Sequence, residues 1–505
     1  MTERIAAELV RDYLRWHRSV GGAPVRADEG VRALLRDLSR RMAERSTPWP
    51  APGYLAHMTG DTPVAVTLAY LCALLYNPNN IAPETSPVTT ELEYEVADDL
   101  CRLVGHAPGS GWAHLCSGAH AAGYEALWIA RNLTALAPAA ARHPAGRDLL
   151  ADVSPARLAN LPVPSVLDLV ERLAARGALH EVRRLRAPAG NAALLVGRTA
   201  HYAWAKAADL LGFAEDRVEQ VGVDRHHRMD LTDLRARVER LIAAGRPIAA
   251  VVVTVGTTAE GAVDDLAGVL RIRTACERRF GAGFPVHVDA AYGGYFRTVL
   301  DVEDTDARPL KPEVAAALQA LPHADSVTVD PHKCGQAPYP AGALVVRDRR
   351  ALAVVATRDG CFGEPRPDGG LPFAPYTLEG ARPGAAAAAV WAAHRLGGLH
   401  TGGYGRLLAG CLGTARHLHQ AFTAPLGSVA PGPTSAYAPD LAILNLNPGA
   451  PGTGDPRAWS ARLRESGLWV SAARADTIRL CVMKPLDARG RDRVEQSLRQ
   501  AFERP

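Results

Sequence analysis

Lysine is almost missing from this chain. Lys206, Lys311, Lys333 and Lys484 stand among 57 basic residues, and all the others are arginine. A guanidinium stays protonated, so a retained lysine marks a position where a titratable amine has a use, and each of the four merits inspection. Aromatic residues are sparse at 6%, which leaves little for a base-stacking surface. Charge of one sign is lacking too. Against 53 acidic residues the formal net charge is +4, so neither nucleic acid nor an anionic membrane is an expected partner. The longest apolar run lies near Leu68–Tyr76, well short of the roughly 20 residues that cross a bilayer. The opening MTERIAAELVRDYLRWH is charged and amphipathic, without the apolar stretch of a signal peptide. Eight scattered cysteines contain no CxxC pair. No metal site and no disulfide framework is expected, and the chain reads as cytoplasmic.

What is present is ample core. The 505 residues are 48% hydrophobic and 22% charged, a globular composition with material for more than one domain. Residues 1–100 read as a helical, loop-rich N-terminal segment, 101–395 as a large α/β domain and 396–505 as a small α+β domain. Short apolar runs at Ala113–Cys116, Ala193–Val196, Ala249–Val255, Val286–Asp289, Ser326–Asp330 and Ala343–Val346 predict strands. Amphipathic stretches at Ala119–Asn132, Ala203–Leu211, Leu231–Ala244 and Asp264–Arg279 predict helices. Such alternation implies a largely parallel sheet covered on both faces. Residues 135–190 carry no visible chemistry. GCFGEPRPDGG (360–370) is a mobile-loop candidate.

Ligands of α/β sheets gather beyond the carboxyl ends of the strands. Asp289 ends PVHVDA, Thr254, Thr257 and Thr258 follow IAAVVV, and Lys333 follows SVTVDPH. Ser117 and His120 open a helix after HLC, and His201 starts another after a strand and turn. A carboxylate, a lysine, a histidine and a helix N-terminus in one crevice suggest a phosphorylated, electrophilic cofactor. Pyridoxal phosphate fits each element: a Schiff base on the lysine, an aspartate at the pyridinium nitrogen, the phosphate at the helix N-terminus. Taken singly, each residue also has a plainer reading. Asp289 can cap a strand end, His201 can begin a helix, and Thr257 and Thr258 can satisfy a turn.

Six segments carry a resemblance: YNPNNIAPETSPVTTELEYEV (76–96), HYAWAKAADLLG (201–212), VGTTAEGAVDD (255–265), HVDAAYGGYFR (287–297), SVTVDPHK (326–333) and LEGARPGAAAAAVWAAHR (378–395). Together the chain resembles the group II pyridoxal phosphate-dependent amino acid decarboxylases, and among them the bacterial tyrosine decarboxylases. HVDAAYGG followed by DPHK is the most specific pair. The resemblance implies the aspartate aminotransferase-like fold (PLP fold type I), with a mainly parallel seven-stranded sheet and a small C-terminal domain. It implies a homodimer, with residues 1–100 helping to form it and the sites at the interface. It further implies a Schiff base at Lys333, with His332 at the phosphate or in proton transfer. Asp289 would sit at the ring nitrogen, Ala291 and His201 on the two ring faces, and Thr258 near the ring. Gly118, Ala119 and His120 would hold the phosphate. Met58 and Thr59 would line the substrate pocket with His57 as a further contact, and Asn79 and Ile81 would reach in from the partner. His57, Met58 and Ile81 also read as core residues. Arg382 stands where the family places residues near the partner's phosphate, or is a solvated arginine.

Two departures bear on the reaction. The phosphate turn CSGAHAAGYEALW has His120 where the family usually has Ser or Thr, and Gly123 where it often has Asn. The stretch ATRDGCFGEPRPDGG has Cys361 and Phe362 where family decarboxylases carry a loop tyrosine that protonates the substrate carbon. Family members with phenylalanine there pass electrons to O2 and release an aldehyde, ammonia and peroxide. Tyr339, six residues after Lys333, or Tyr376 could serve as the acid instead. Decarboxylation of an aromatic L-amino acid to the amine and CO2 is the first expectation. Decarboxylation-dependent oxidative deamination is the second. A catalytically silent scaffold is the third, and retention of Lys333, Asp289 and His201 speaks against it.

Overall fold

The computed structural model describes residues 2–23, 28–107, 109–186, 191–302, 310–357, 372–423, 434–447, 455–473 and 477–503. Its centre is a seven-stranded sheet of β1 (Trp112–Cys116), β2 (Ala193–Gly197), β3 (Val218–Val221), β4 (Ile248–Thr254), β5 (Val286–Asp289), β6 (Ser326–Val329) and β7 (Gly342–Val346). The order is β1-β7-β6-β5-β4-β2-β3. β7 runs antiparallel to β1 and β6, and the other pairings are parallel. All seven residues of β4, IAAVVVT, are buried. A parallel strand covered on both faces needs such an unbroken apolar run, which is why it is legible in sequence. β3, VEQV, is the strand that sequence reading misses. It is an edge strand with one fully buried residue, so it lacks that signature.

Four helices precede the sheet: α1 (Thr2–Ser19), α2 (Glu29–Arg45), α3 (Val64–Leu75) and α4 (Pro87–Val104). α5 (Ala119–Ala140) follows β1 and runs eight residues beyond the predicted end. Pro138 does not stop it, because a proline in the last turn removes one hydrogen bond and kinks little that follows. α1 and α2 bury none of their described residues. Val31, Leu34, Leu35, Leu38 and Met42 of α2 are all exposed.

A second sheet, ordered β10-β11-β9-β8, is formed by β8 (Thr434–Ser435), β9 (Ile443–Asn447), β10 (Ser471–Ala472) and β11 (Ile478–Cys481), all antiparallel. The segment before α3 is tied to it. Leu55 N–H donates to the Trp469 carbonyl at 2.8 Å, and Cys481 N–H donates to the Leu55 carbonyl at 2.7 Å. This tether fixes Met58 near the carboxyl ends of the central strands. No described helix is long and apolar enough to cross a membrane.

Candidate active site

A cavity of about 390 Å³ opens where β4, β5 and β6 end and α5 begins. Lys333 enters it from the turn after β6. Its Nζ lies 2.9 Å from Asp330 Oδ2, and Lys333 N–H donates to the Asp330 carbonyl at 2.9 Å, which closes the turn. Burial opposes the lysine's charge, but the Asp330 carboxylate, backed by Asp289, outweighs it and raises the Lys333 pKa. His332 Nε2 is 3.4 Å from the same Asp330 oxygen, and burial lowers its pKa. The His332 ring packs on Tyr339 with centroids 4.1 Å apart.

Asp289 ends β5 and lines the cavity. Its Oδ2 accepts from Trp204 Nε1 at 3.2 Å and its Oδ1 from Ala291 N–H at 3.3 Å. His201 stands just before the helix Ala203–Leu210. Its Nδ1 accepts from Ala203 N–H at 3.2 Å, so Nε2 is the nitrogen that carries the proton of the neutral ring. Burial lowers its pKa. The rings of His120 and His201 meet edge to face at 5.0 Å.

Gly118 precedes α5 without any side-chain cap, so the first-turn N–H groups point at the cavity as an anion site. The turn already takes one anion: Ser117 N–H donates to Glu379 Oε2 at 3.0 Å. Gly342 lies so close that a Cβ there would stand 2.3 Å from Gly118 Cα. β7 must therefore start with glycine for the turn to pass.

Of the residues expected at the site, Met58, Gly118, Ala119, His120, His201, Thr258, Asp289, Ala291, His332, Lys333 and Tyr339 line this one cavity. His57, Thr59, Asn79 and Ile81 do not line it within the chain. His57 Nδ1 meets Tyr54 Oη at 2.7 Å, while Asn79 Oδ1 accepts from Ile81 N–H at 3.1 Å and Arg382 N–H at 3.0 Å. Tyr376 stands beside Trp112, 6.4 Å between centroids, away from the cavity. Cys361 and Phe362 lie outside the described residues. Thr257 is structural: its hydroxyl donates to Glu260 at 2.8 Å.

Arg382 requires a correction. It is 4% exposed, ion-paired to Glu93, and donates to the carbonyls of Asn80 at 2.6 Å and Leu115 at 3.1 Å. It is therefore not a solvated arginine: its terminal nitrogens hold α4 and β1 together, while its Nε has no partner within the described residues. Sequence reading also passes over Asp330 and Trp204. Both carried a signal: an Asp three residues before the lysine in a tight turn, and a Trp three residues after His201 on a helix.

Asp330 Oδ1 and His332 Nδ1 are buried and lack a hydrogen-bond partner within the protein, polar capacity that a bound group would use. With an amine, a carboxylate and an uncapped helix N-terminus facing one space, the residues fit pyridoxal phosphate. Among the described residues no cluster of His, Cys, Asp and Glu could hold a metal ion.

Comparison with known proteins agrees with that fit. The pyridoxal-dependent decarboxylase conserved domain matches residues 169–359. The chain is 36% identical over 403 residues to L-tyrosine decarboxylase of Levilactobacillus brevis, covering 75% of this chain and 63% of that protein. It is 35% identical over 415 residues to L-tyrosine decarboxylase of Enterococcus faecalis, covering 77% and 66%. The matches thus span slightly less than two thirds of these relatives' length. Among solved structures, mouse CSAD superposes with a TM-score of 0.70 at 19% identity, covering 100% of this chain and 98% of that one, a likeness of fold.

Proposed function

We propose that this chain, which belongs to the family of pyridoxal-dependent decarboxylases, removes the α-carboxylate of an aromatic, tyrosine-like L-amino acid and releases the amine and CO2. One observation carries the reading: the Lys333 amine, the Asp289 carboxylate, the His201 ring and the N-terminus of α5 face a single cavity. Pyridoxal phosphate, bound there, supplies an aldehyde that captures amines and a ring that accepts the electron pair left by departing CO2. Lys333 Nζ would be the amine that holds the cofactor through its aldehyde carbon. Asp289 would face the ring nitrogen and favour its protonated form. Gly118, Ala119 and His120 take the phosphate. Ala291 and His201 would flank the ring, and the neutral His201 Nε2–H would be available to the substrate carboxylate. Thr258 would stand near the ring, and Tyr339, packed on His332, would be the acid available to return a proton to the substrate carbon.

The aromatic choice rests on the similarity to two L-tyrosine decarboxylases and on the cavity wall. Met58 offers apolar contact, and apart from Lys333 the cationic candidates among its described residues are histidines, with no arginine for a distal carboxylate. Specificity of this kind can turn on one or two contacts worth about 1–3 kcal/mol each. The active unit is a homodimer. The apolar stripe of α2 is exposed among the described residues, and a second copy would bring Asn79 and Ile81 to the site, with Thr59 lining the substrate pocket and His57 a further contact. The seven described cysteines are all unpaired, in keeping with a reducing cytoplasm.

A second reading is favoured by the loop sequence, which lacks tyrosine at Cys361–Phe362. O2 then takes the electron pair, and amino acid, O2 and water become aldehyde, CO2, ammonia and hydrogen peroxide. Incubating the pyridoxal phosphate-loaded protein in air with tyrosine, phenylalanine, tryptophan and dihydroxyphenylalanine tests both. Amine without peroxide supports decarboxylation, and aldehyde with peroxide supports the oxidative branch. Neither product, from a yellow protein, overturns the aromatic assignment.

A further inference from the structure

We propose that Trp204 is a positioning residue for Asp289: its indole N–H holds the carboxylate in the orientation that faces the cofactor ring, and the bare backbone at Gly123 leaves the indole room to do so. The inference rests on the reading of the cavity as a pyridoxal phosphate site.

The indole is fixed from three sides. Trp204 is 3% exposed and its Nε1 lies 3.2 Å from Asp289 Oδ2. One face meets His287, centroids 5.1 Å apart. That ring is itself held by Ser326 Oγ at 2.8 Å and Thr328 Oγ1 at 3.2 Å. The far edge lies over Gly123 of α5, where a Cβ would approach Trp204 Cη2 to 3.3 Å and Cζ2 to 3.5 Å. A Cβ there would require the indole to give by a few tenths of an ångström. With Ala291 N–H on Oδ1, each carboxylate oxygen has one donor, and the two donors come from different elements. The carboxylate plane is therefore set before a ligand arrives, which reduces the ordering cost of binding.

Without the indole, Oδ2 loses its donor. The charged and titratable groups around Asp289 are Lys333 and Asp330 of the turn after β6, His201, His120 of α5 and His287 of β5. An unheld carboxylate can swing toward Lys333 or His201 and away from the ring nitrogen. Gly123 is also one of the two turn positions where this chain departs from the family it resembles, and the packing of Trp204 gives that departure a physical use.

The test is a double-mutant cycle on the dissociation constant of pyridoxal phosphate, measured by titrating apoprotein and following the visible absorption of the bound cofactor. Far-UV circular dichroism checks that each variant is folded. Trp204→Phe should weaken binding about tenfold in the wild-type background, the loss expected for a donor to a charged group. In an Asp289→Asn background it should change binding by less than about twofold, because the partner through which it acts is gone. Gly123→Ala should weaken binding in the same direction, and should add nothing to Trp204→Phe. Equal losses in both Asp289 backgrounds, or no loss from Trp204→Phe, would overturn the proposal. If Trp204→Phe does not fold, Gly123→Ala with and without Asp289→Asn decides the same question. Wild-type apoprotein that takes up no pyridoxal phosphate overturns the cofactor reading itself, and does so before any substitution is made.

Discussion

Lys333 Nζ and Asp330 Oδ2 lie 2.9 Å apart across a single turn, with Asp330 1% exposed. The pair supports the amine's charge against burial, which by itself lowers the lysine's pKa. Removing the carboxylate leaves burial opposed only by Asp289 and Tyr339. Asp330→Asn should therefore lower the Lys333 pKa and enlarge the fraction of neutral, nucleophilic amine near pH 7. The rate at which borohydride traps pyridoxal phosphate on Lys333, followed against pH, should shift its rising limb to lower pH. An unshifted limb would show that Asp330 does not set the lysine's charge.

Tyr339 lines the cavity, is 56% exposed and packs on His332. If it returns the proton to the substrate carbon, Tyr339→Phe should cut amine formation by roughly 10²- to 10⁴-fold. Oxygen uptake per CO2 released should rise. Amine production at the wild-type rate, measured by mass spectrometry beside an oxygen electrode, would remove Tyr339 from the reaction.

Arg382 and Glu93 form a buried pair that links the segment before the helix Gly384–Gly397 to α4. Arg382→Ala strands the Glu93 carboxylate, so it should cost about 3–5 kcal/mol of stability. A fall in the urea midpoint checks this. A variant as stable as wild type would mean that Glu93 finds another partner or a proton.

Burial pushes the pKa of His287 down to about 4, and that of His106 also to about 4, from an ordinary 6.5. As pH falls through 6.5 the unfolded chain takes up these protons first and the folded chain does not. The stability tied to each is thus whole above 6.5 and is lost toward pH 4. For His287 the loss is on the order of 3 kcal/mol. Urea midpoints should drop steadily over that window, and His287→Gln should flatten the drop. A pH-independent midpoint would contradict the buried neutral histidine.

Leu34, Leu35 and Leu38 project from α2 with 67%, 57% and 54% of their surface exposed in one chain. A double Leu35→Glu, Leu38→Glu variant should sediment as a monomer where wild type sediments as a dimer. It should also lose activity if Asn79 and Ile81 act across the interface. A wild-type protein that sediments as a monomer would reject the partner reading.

The sequence by itself determined the parts whose causes are local. IAAVVVT reads as a doubly covered strand because its seven residues are uniformly apolar. DPHK places a carboxylate and an amine on one turn because residues three apart face each other there. The strand-end positions of Asp289, Thr258 and Lys333 follow from where the apolar runs stop, and that is enough to gather most of the site. The tertiary structure alone decided the rest. Trp204 meets Asp289 across 85 residues, Arg382 meets Glu93 across 289, and Leu55 joins a sheet whose strands lie between Thr434 and Cys481. No local pattern encodes these meetings. A buried arginine and a solvated one are spelled alike, and an indole's hydrogen-bond partner is chosen by what packing brings within 3.2 Å of it.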